Sequence, residues 1–179
     1  MRKILKAVLY IIAALLLAVF IYTKNKEVNE RTATGLYFEG KRLESEGKYS
    51  EALVKLKKAA SLKPDLGKAY LMMGVVYSRE GDFKKAEEEF INALARKLDK
   101  RNEAIAHHNL GAIYLEHFDK PDEAIEQFKL AIKTDPNFID PASDPHFGLS
   151  RAYIIKGQYD LAIKEAKESI KLNPASDKA

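Results

Sequence analysis

The chain of 179 residues has no cysteine. That excludes thiol catalysis, thiolate metal sites and a lipidated N-terminal cysteine. It says nothing about compartment, because reducing and oxidising environments both accept a cysteine-free chain. Charge is absent from residues 7–22, and acidic residues are absent from the first 26, which hold five basic ones. No P-loop, glycine-rich dinucleotide turn, nucleophile elbow or His-Glu-x-x-His pattern occurs anywhere in the chain. The expectation is therefore a non-enzyme, with no catalytic, cofactor-binding or metal-ligating set.

What is present is a repeat, with a spacing near 34 residues. In the first copy Gly40 is followed by Gly47, Tyr49, Ala52, Leu56, Ala59 and Pro64. The second runs Tyr70, Gly74, Tyr77, Gly81, Phe83, Ala86, Phe90 and Ala93. The third reads Leu110, Gly111, Tyr114, Ala124, Phe128, Ala131 and Pro136, and the last Leu149, Tyr153, Gly157, Tyr159, Ala162 and Pro174. A fixed period of this length marks a stack of small supersecondary units. The pattern resembles the tetratricopeptide repeat (TPR), a helix–turn–helix unit. The resemblance implies an all-α, right-handed solenoid of four such units at 33–66, 67–100, 104–138 and 143–176, together spanning 33–176.

The spacing has its own physical reading. Gly40, Gly74 and Gly111 fall midway along a first helix, and Ala52, Ala86 and Ala124 early in a second, where small residues let two helices approach. Gly47, Gly81 and Gly157 fall where a first helix ends, a place for a left-handed residue. Pro64, Pro136 and Pro174 close second helices. The copies also differ. Leu98 stands where proline is usual, residues 101–103 are inserted before the third copy and 139–142 before the fourth. The turn at 117–121 lacks its glycine, but Pro121 suits a first helical position. The fourth copy has Ser150, Ala166 and Ser169 in place of Gly, Phe and Ala, as a terminal, partly solvated repeat would. With no further helix expected after Pro174, Ile163 and Ile170 are candidates for exposure or for burial against a partner.

Residues 1–22 read as a signal-anchor or transmembrane helix, 23–32 as a linker that extends it, and 177–179 as a frayed tail. The 19 residues 4–22 would span about 28 Å as a helix, close to the hydrocarbon thickness of a bilayer. Lys6 can snorkel, and Tyr22, Lys24 and Lys26 mark the far interface. The rival reading is a secretory signal, cleaved to release the repeats, although only Ala18 offers a small residue between 15 and 22. The basic residues on the two flanks do not fix orientation, while the short N-terminal tail favours repeats on the exported, extracytoplasmic side. The formal charge of +4 belongs to this segment, since beyond residue 26 there are 25 basic against 26 acidic residues. A nearly neutral solenoid lacks the footprint of a nucleic-acid binder. The run Arg96 to Arg101 reads as a solvated helix end.

Isolated polar clusters read as structure. Adjacent His107 and His108 point to different faces of a helix and do not chelate one ion easily. His107 sits in the large-residue slot of its repeat. Glu87, Glu88 and Glu89 follow two lysines, which predicts surface pairs Lys84–Glu88 and Lys85–Glu89. Residues 135–145 carry three aspartates without EF-hand spacing and read as linker.

The resemblance also implies a concave surface lined by first helices, where the family holds peptides. By position it would comprise Tyr37 and Lys41 from the first repeat and Lys68, Leu71, Val75 and Arg79 from the second. The third would add His108 and Asn109, and the fourth Phe147, Arg151 and Ile154. The family's clamp for chaperone C-termini is not formed, since Tyr37, Lys41, Met72, Ile105 and Asn109 hold one basic residue among them. The function expected is that of an adaptor, anchored to a membrane through residues 4–22, that binds a protein or peptide in assembly or biogenesis of an envelope or membrane complex. A self-assembling homo-oligomeric scaffold and an accessory subunit of an enzyme complex are its rivals.

Overall fold

Residues 23–32 contain neither glycine nor proline, so nothing in them stops a helix. In the computed structural model, which describes residues 2–136 and 144–172, the helix runs through. Helix α1 spans Arg2–Ser45, about 66 Å at the usual rise. The segment expected as a linker extending the anchor is helical throughout. Glu27 stands between Lys24 at 3.3 Å and Arg31 at 2.6 Å, ion pairs at the three- and four-residue spacings that support a helical turn.

Among the described residues seven further helices follow: α2 Tyr49–Leu62, α3 Gly67–Glu80, α4 Phe83–Leu94, α5 Lys100–Glu116, α6 Pro121–Thr134, α7 Pro145–Ile155 and α8 Tyr159–Leu172. They pair as α1–α2, α3–α4, α5–α6 and α7–α8. The inserted residues 101–103 are not a loop. They add a turn to α5, whose N-terminus is capped by the Asp99 carboxylate accepting from the Asn102 amide at 3.0 Å. Residues 139–142, Pro174 and the tail 177–179 lie outside the described residues.

The helix-ending glycines do adopt the left-handed backbone, with φ of 74° at Gly47, 79° at Gly81 and 69° at Gly157. In the third turn Asp119 takes that role at φ 52°, and Pro121 opens α6. An aspartate tolerates this region better than most side chains do.

Packing across each pair differs in one respect from the sequence expectation. The mid-helix glycines face the large residue of the second helix more closely than its alanine. A methyl group on Gly40 would lie 2.7 Å from the Leu56 side chain, one on Gly74 2.6 Å from the Phe90 ring, and one on Gly111 2.8 Å from the Phe128 ring. Leu56, Phe90 and Phe128 are at most 1 % exposed. Each glycine is a seat for a large apolar side chain.

The departures from the repeat pattern have structural reasons. Leu98, in the proline slot, packs on Gly67 at the start of α3, where an added methyl would meet it at 2.9 Å. In the fourth pair the seat is rebuilt. Ala166 leaves room where an aromatic ring would stand, and Ser150 occupies the glycine position with its hydroxyl donating to the Ala162 carbonyl at 2.9 Å. Gly148 meanwhile receives Phe128 from the preceding repeat, within 2.5 Å of an added methyl. That ring therefore joins the third and fourth repeats.

Candidate partner-binding face

The odd-numbered helices form one layer. α1 approaches α3, α3 approaches α5 and α5 approaches α7, whereas among the described residues no two even-numbered helices come comparably near. An array closer along one layer than the other is curved, and its inner side is lined by α1, α3, α5 and α7.

On that side the structure divides the residues expected to line a groove. Leu71 is 5 % exposed and belongs to the core. Its reading as an accessible anchor is corrected, because α3 is flanked on this layer by both α1 and α5. Val75 is half-buried against the same core. His108 turns inward, its ring 5.5 Å from that of Phe128, and Asn109 is half-buried. Tyr37 is also half-buried. Burial pushes its phenol pKa up; to a smaller extent Lys68 lowers it and Asp99 raises it. Lys41 is exposed.

The fourth repeat is the most open. Phe147 is 57 % and Ile154 53 % exposed, with Arg151 between them 6.0 Å from the Phe147 ring centre. Residues 147, 151 and 154 have the spacing of one helix face.

Three basic residues of this layer are tied to carboxylates of neighbouring repeats. Lys68 lies 2.7 Å from Asp99, Arg79 lies 3.8 Å from Glu44, and Arg151 pairs with Glu116. Each pair links adjacent odd-numbered helices or their ends, so the layer is laced together before any partner arrives.

The Lys68 hydrogen bond, with help from the Asn102 amide, holds the Asp99 carboxyl down to about 2. A lowered carboxylate pKa contributes stability above the ordinary value of 3.8, and the contribution fades as pH falls toward 2. Both side chains are more than a third exposed, so the pair is worth below about 1 kcal/mol. Asp99→Asn keeps a good cap and removes the charge. Urea unfolding should show a small loss for this variant at pH 7 and a smaller difference from the parent near pH 2.5.

Three polar features escaped the sequence reading. Arg96 is no solvated end: its Nε donates to the Pro64 carbonyl at 2.8 Å and its guanidinium lies 3.7 Å from the Tyr70 ring centre. Asp144, in the expected linker, caps α7 by accepting from the amides of His146 and Phe147, and it also accepts from the Ser169 hydroxyl. His146 meets Glu165 at 2.7 Å. An aspartate directly before Pro145 was the available signal for the cap. The predicted Lys85–Glu89 pair does not form, because Lys85 turns to Asp82 at 2.5 Å. Half-burial raises the Glu89 pKa, with Glu88 adding to the effect. Lys84–Glu88 is likewise not among the ion pairs of the described residues.

Paired antiparallel helices stacked into a curved layer define an α-solenoid. Comparisons identify the repeat. Residues 65–137 match one family model described as tetratricopeptide repeat, and residues 144–176 match a second with the same description. Together the matches span more than half of the chain, which belongs to the tetratricopeptide-repeat family.

The crystal structure of MamA is similar over 88 % of each chain, with a TM-score of 0.70 and 25 % identity. PilW, described as a widely conserved type IV pilus biogenesis factor, has a TM-score of 0.69 at 22 % identity, over 79 % of this chain and 62 % of its own. The first TPR of Spaghetti, bound to an HSP90 peptide, has a TM-score of 0.63 at 20 % identity, over 72 % of this chain and 95 % of its own. The last two likenesses concern the fold alone. No curated protein matches the chain.

Proposed function

We propose that this protein is a membrane-anchored, non-catalytic TPR adaptor that holds a protein segment on the inner face of its curve. The observation that carries the reading is the α7 face, where two large apolar side chains stay more than half exposed on either side of an arginine. Anchors at i and i+7 suit an amphipathic segment that offers apolar residues, with the Arg151–Glu116 pair as its polar border. Lys41 and Arg79 extend the basic character of the same layer toward the first repeat.

The anchor rests on α1. Its large side chains from Leu9 to Tyr22 are all at least 47 % exposed, and by length and composition this helix can cross a membrane. Leaving such a run in water is costly, and a bilayer removes the cost. An anchor running directly into a first repeat suits assembly work at an envelope; PilW, similar in fold, is described as a type IV pilus biogenesis factor. Retention of the segment, against cleavage after export, is part of the proposal.

A photo-crosslinker near α7 in the membranes of the producing cell tests the groove. Phe147→Asp/Ile154→Asp should reduce the crosslinked product more than tenfold, as loss of two interface anchors does at about 1.4 kcal/mol per decade. Helical circular dichroism should be unchanged. Glu88→Lys, on an exposed position of α4, should leave the product intact. A folded double mutant with wild-type yield rejects this face. The exposed side of α8, with Ile163 and Ile170 at 55 % and 46 %, supports self-association as the second reading. Concentration-dependent mass distinguishes it.

A further inference from the structure

The topology brings two connections of the solenoid back toward the root of α1. Helix α2 runs antiparallel to α1, and its end returns beside the segment that follows the apolar run. Lys63 Nζ is 4.0 Å from Glu30 Oε2. A cleft of about 570 Å³ lies between Tyr22, Lys26 and Asn29 on one side and Leu62, Lys63 and Pro64 on the other.

Helix α4 descends in the same sense, and its connection to α5 is fastened to the first one. A backbone bridge joins Leu66 to Lys97, and Arg96 donates to the Pro64 carbonyl. One edge of the array thus gathers residues 63–66 and 95–101 next to the end of the apolar segment. Eight residues of helix separate Tyr22 from Glu30, about 12 Å along the axis. Lys63 lines the same cleft as Tyr22, so its charge stands near a surface at that level, where the Debye length is about 10 Å.

The two connections nearest the anchor are basic, whereas the third connection on this edge, further from α1, adds Asp135 and Asp144. Residues 63–66 and 95–101 carry Lys63, Arg96, Lys97, Lys100 and Arg101 against Asp65 and Asp99. Asp99 is further engaged by Lys68. On the opposite edge the turns 46–48, 81–82, 117–120 and 156–158 balance three lysines with three carboxylates. On α1, Lys24, Lys26 and Arg31 stand against Glu27 and Glu30, so this segment adds one net positive charge. A basic surface this close to a bilayer is attracted by anionic headgroups.

We propose that the α2–α3 and α4–α5 connections dock on an anionic lipid surface, with Lys63, Lys97 and Lys100 meeting headgroup phosphates. The inference rests on the anchor reading. It adds a second attachment, so the solenoid stands on this edge with its orientation fixed to the membrane rather than swinging about α1.

The absence of cysteine allows single nitroxide labels at Ala18→Cys, Ala95→Cys or Ser50→Cys in the full chain. Each is reconstituted in vesicles of phosphatidylcholine alone, or of equal parts phosphatidylcholine and phosphatidylglycerol. Label accessibility is read with oxygen and with a headgroup-tethered nickel chelate. The label at 18 should report hydrocarbon in both vesicles. The label at 95 should contact the chelate in anionic vesicles and lose that contact in neutral ones, while the label at 50 meets it in neither.

Lys63→Glu/Lys97→Glu/Lys100→Glu should abolish the contact at 95 with circular dichroism unchanged. High salt should do the same to the parent chain. A label at 95 no closer to anionic lipid than the label at 50, with 18 in hydrocarbon, overturns the docking and leaves the anchor standing. A label at 18 in water overturns both.

Discussion

Gly74→Leu is expected to lower the thermal unfolding midpoint of the full chain in detergent by roughly 10 °C, from a loss of about 3 kcal/mol or more. The reason is the identity of the neighbour. Even a methyl group at this position would stand 2.6 Å from two ring carbons of Phe90. Phe90 is fully buried between α3 and α4, so its ring has nowhere to withdraw. A leucine would have to push the two helices apart along their whole contact. Gly35→Ala supplies the contrast. Nothing lies within 4 Å of its added methyl, and a helical glycine replaced by alanine gains about 0.5–1 kcal/mol. If both variants shift the midpoint equally, close packing at Gly74 is not what sets its cost.

How far the sequence could be read follows from which physics each feature depends on. Helix limits depend on local chemistry, and the glycines with positive φ at 47, 81 and 157, with Pro121, were legible at their own positions. Small-residue positions were legible as close approaches, but their partners were not. Facing Gly74 with Phe90 rather than Ala86 requires the relative rotation of two helices, which a period does not carry. Leu71 shows the same limit on the candidate face. Its place on α3 is right for the inner layer, yet burial is decided by how near α1 and α5 come on either side.

Phe147 and Ile154 sit on the same layer and remain exposed, with α5 as the odd-numbered neighbour that α7 approaches. The polar misreadings have one cause as well. Lys85 had carboxylates within about a turn on both sides, Asp82 before it and Glu88 and Glu89 after it. The choice went to Asp82, already fixed by capping α4, while Glu89 is half-buried and harder to ionise. Arg96 was placed in a charged run by its sequence neighbours and is held by Pro64 and Tyr70, more than twenty residues away.

Phe128→Ala should release the fourth repeat while the first two keep their structure. The ring is 1 % exposed and fills two glycine seats at once, Gly111 in its own repeat and Gly148 in the next. It shares a cluster with Leu149, Ala152 and Tyr153 of α7. Truncating a buried phenylalanine costs about 3–5 kcal/mol, and here the loss falls on the junction between repeats. α8 contributes little core of its own, burying only Ala162 and Ser169 among its described residues. A repeat so poor in internal contacts depends on its neighbour for stability, as nearest-neighbour coupling in solenoids requires. Amide hydrogen exchange should therefore show α7 and α8 losing protection by at least about a hundredfold. Protection in α2 and α3 should change little. A uniform loss across all helices would mean that the array unfolds as one unit and that Phe128 is not a local joint. Because α7 also presents Phe147, Arg151 and Ile154, the same substitution should weaken partner capture without touching the binding face. Restoring protection with a repacking residue such as Phe128→Leu should restore capture in proportion, which a direct contact by Phe128 with the partner would not predict.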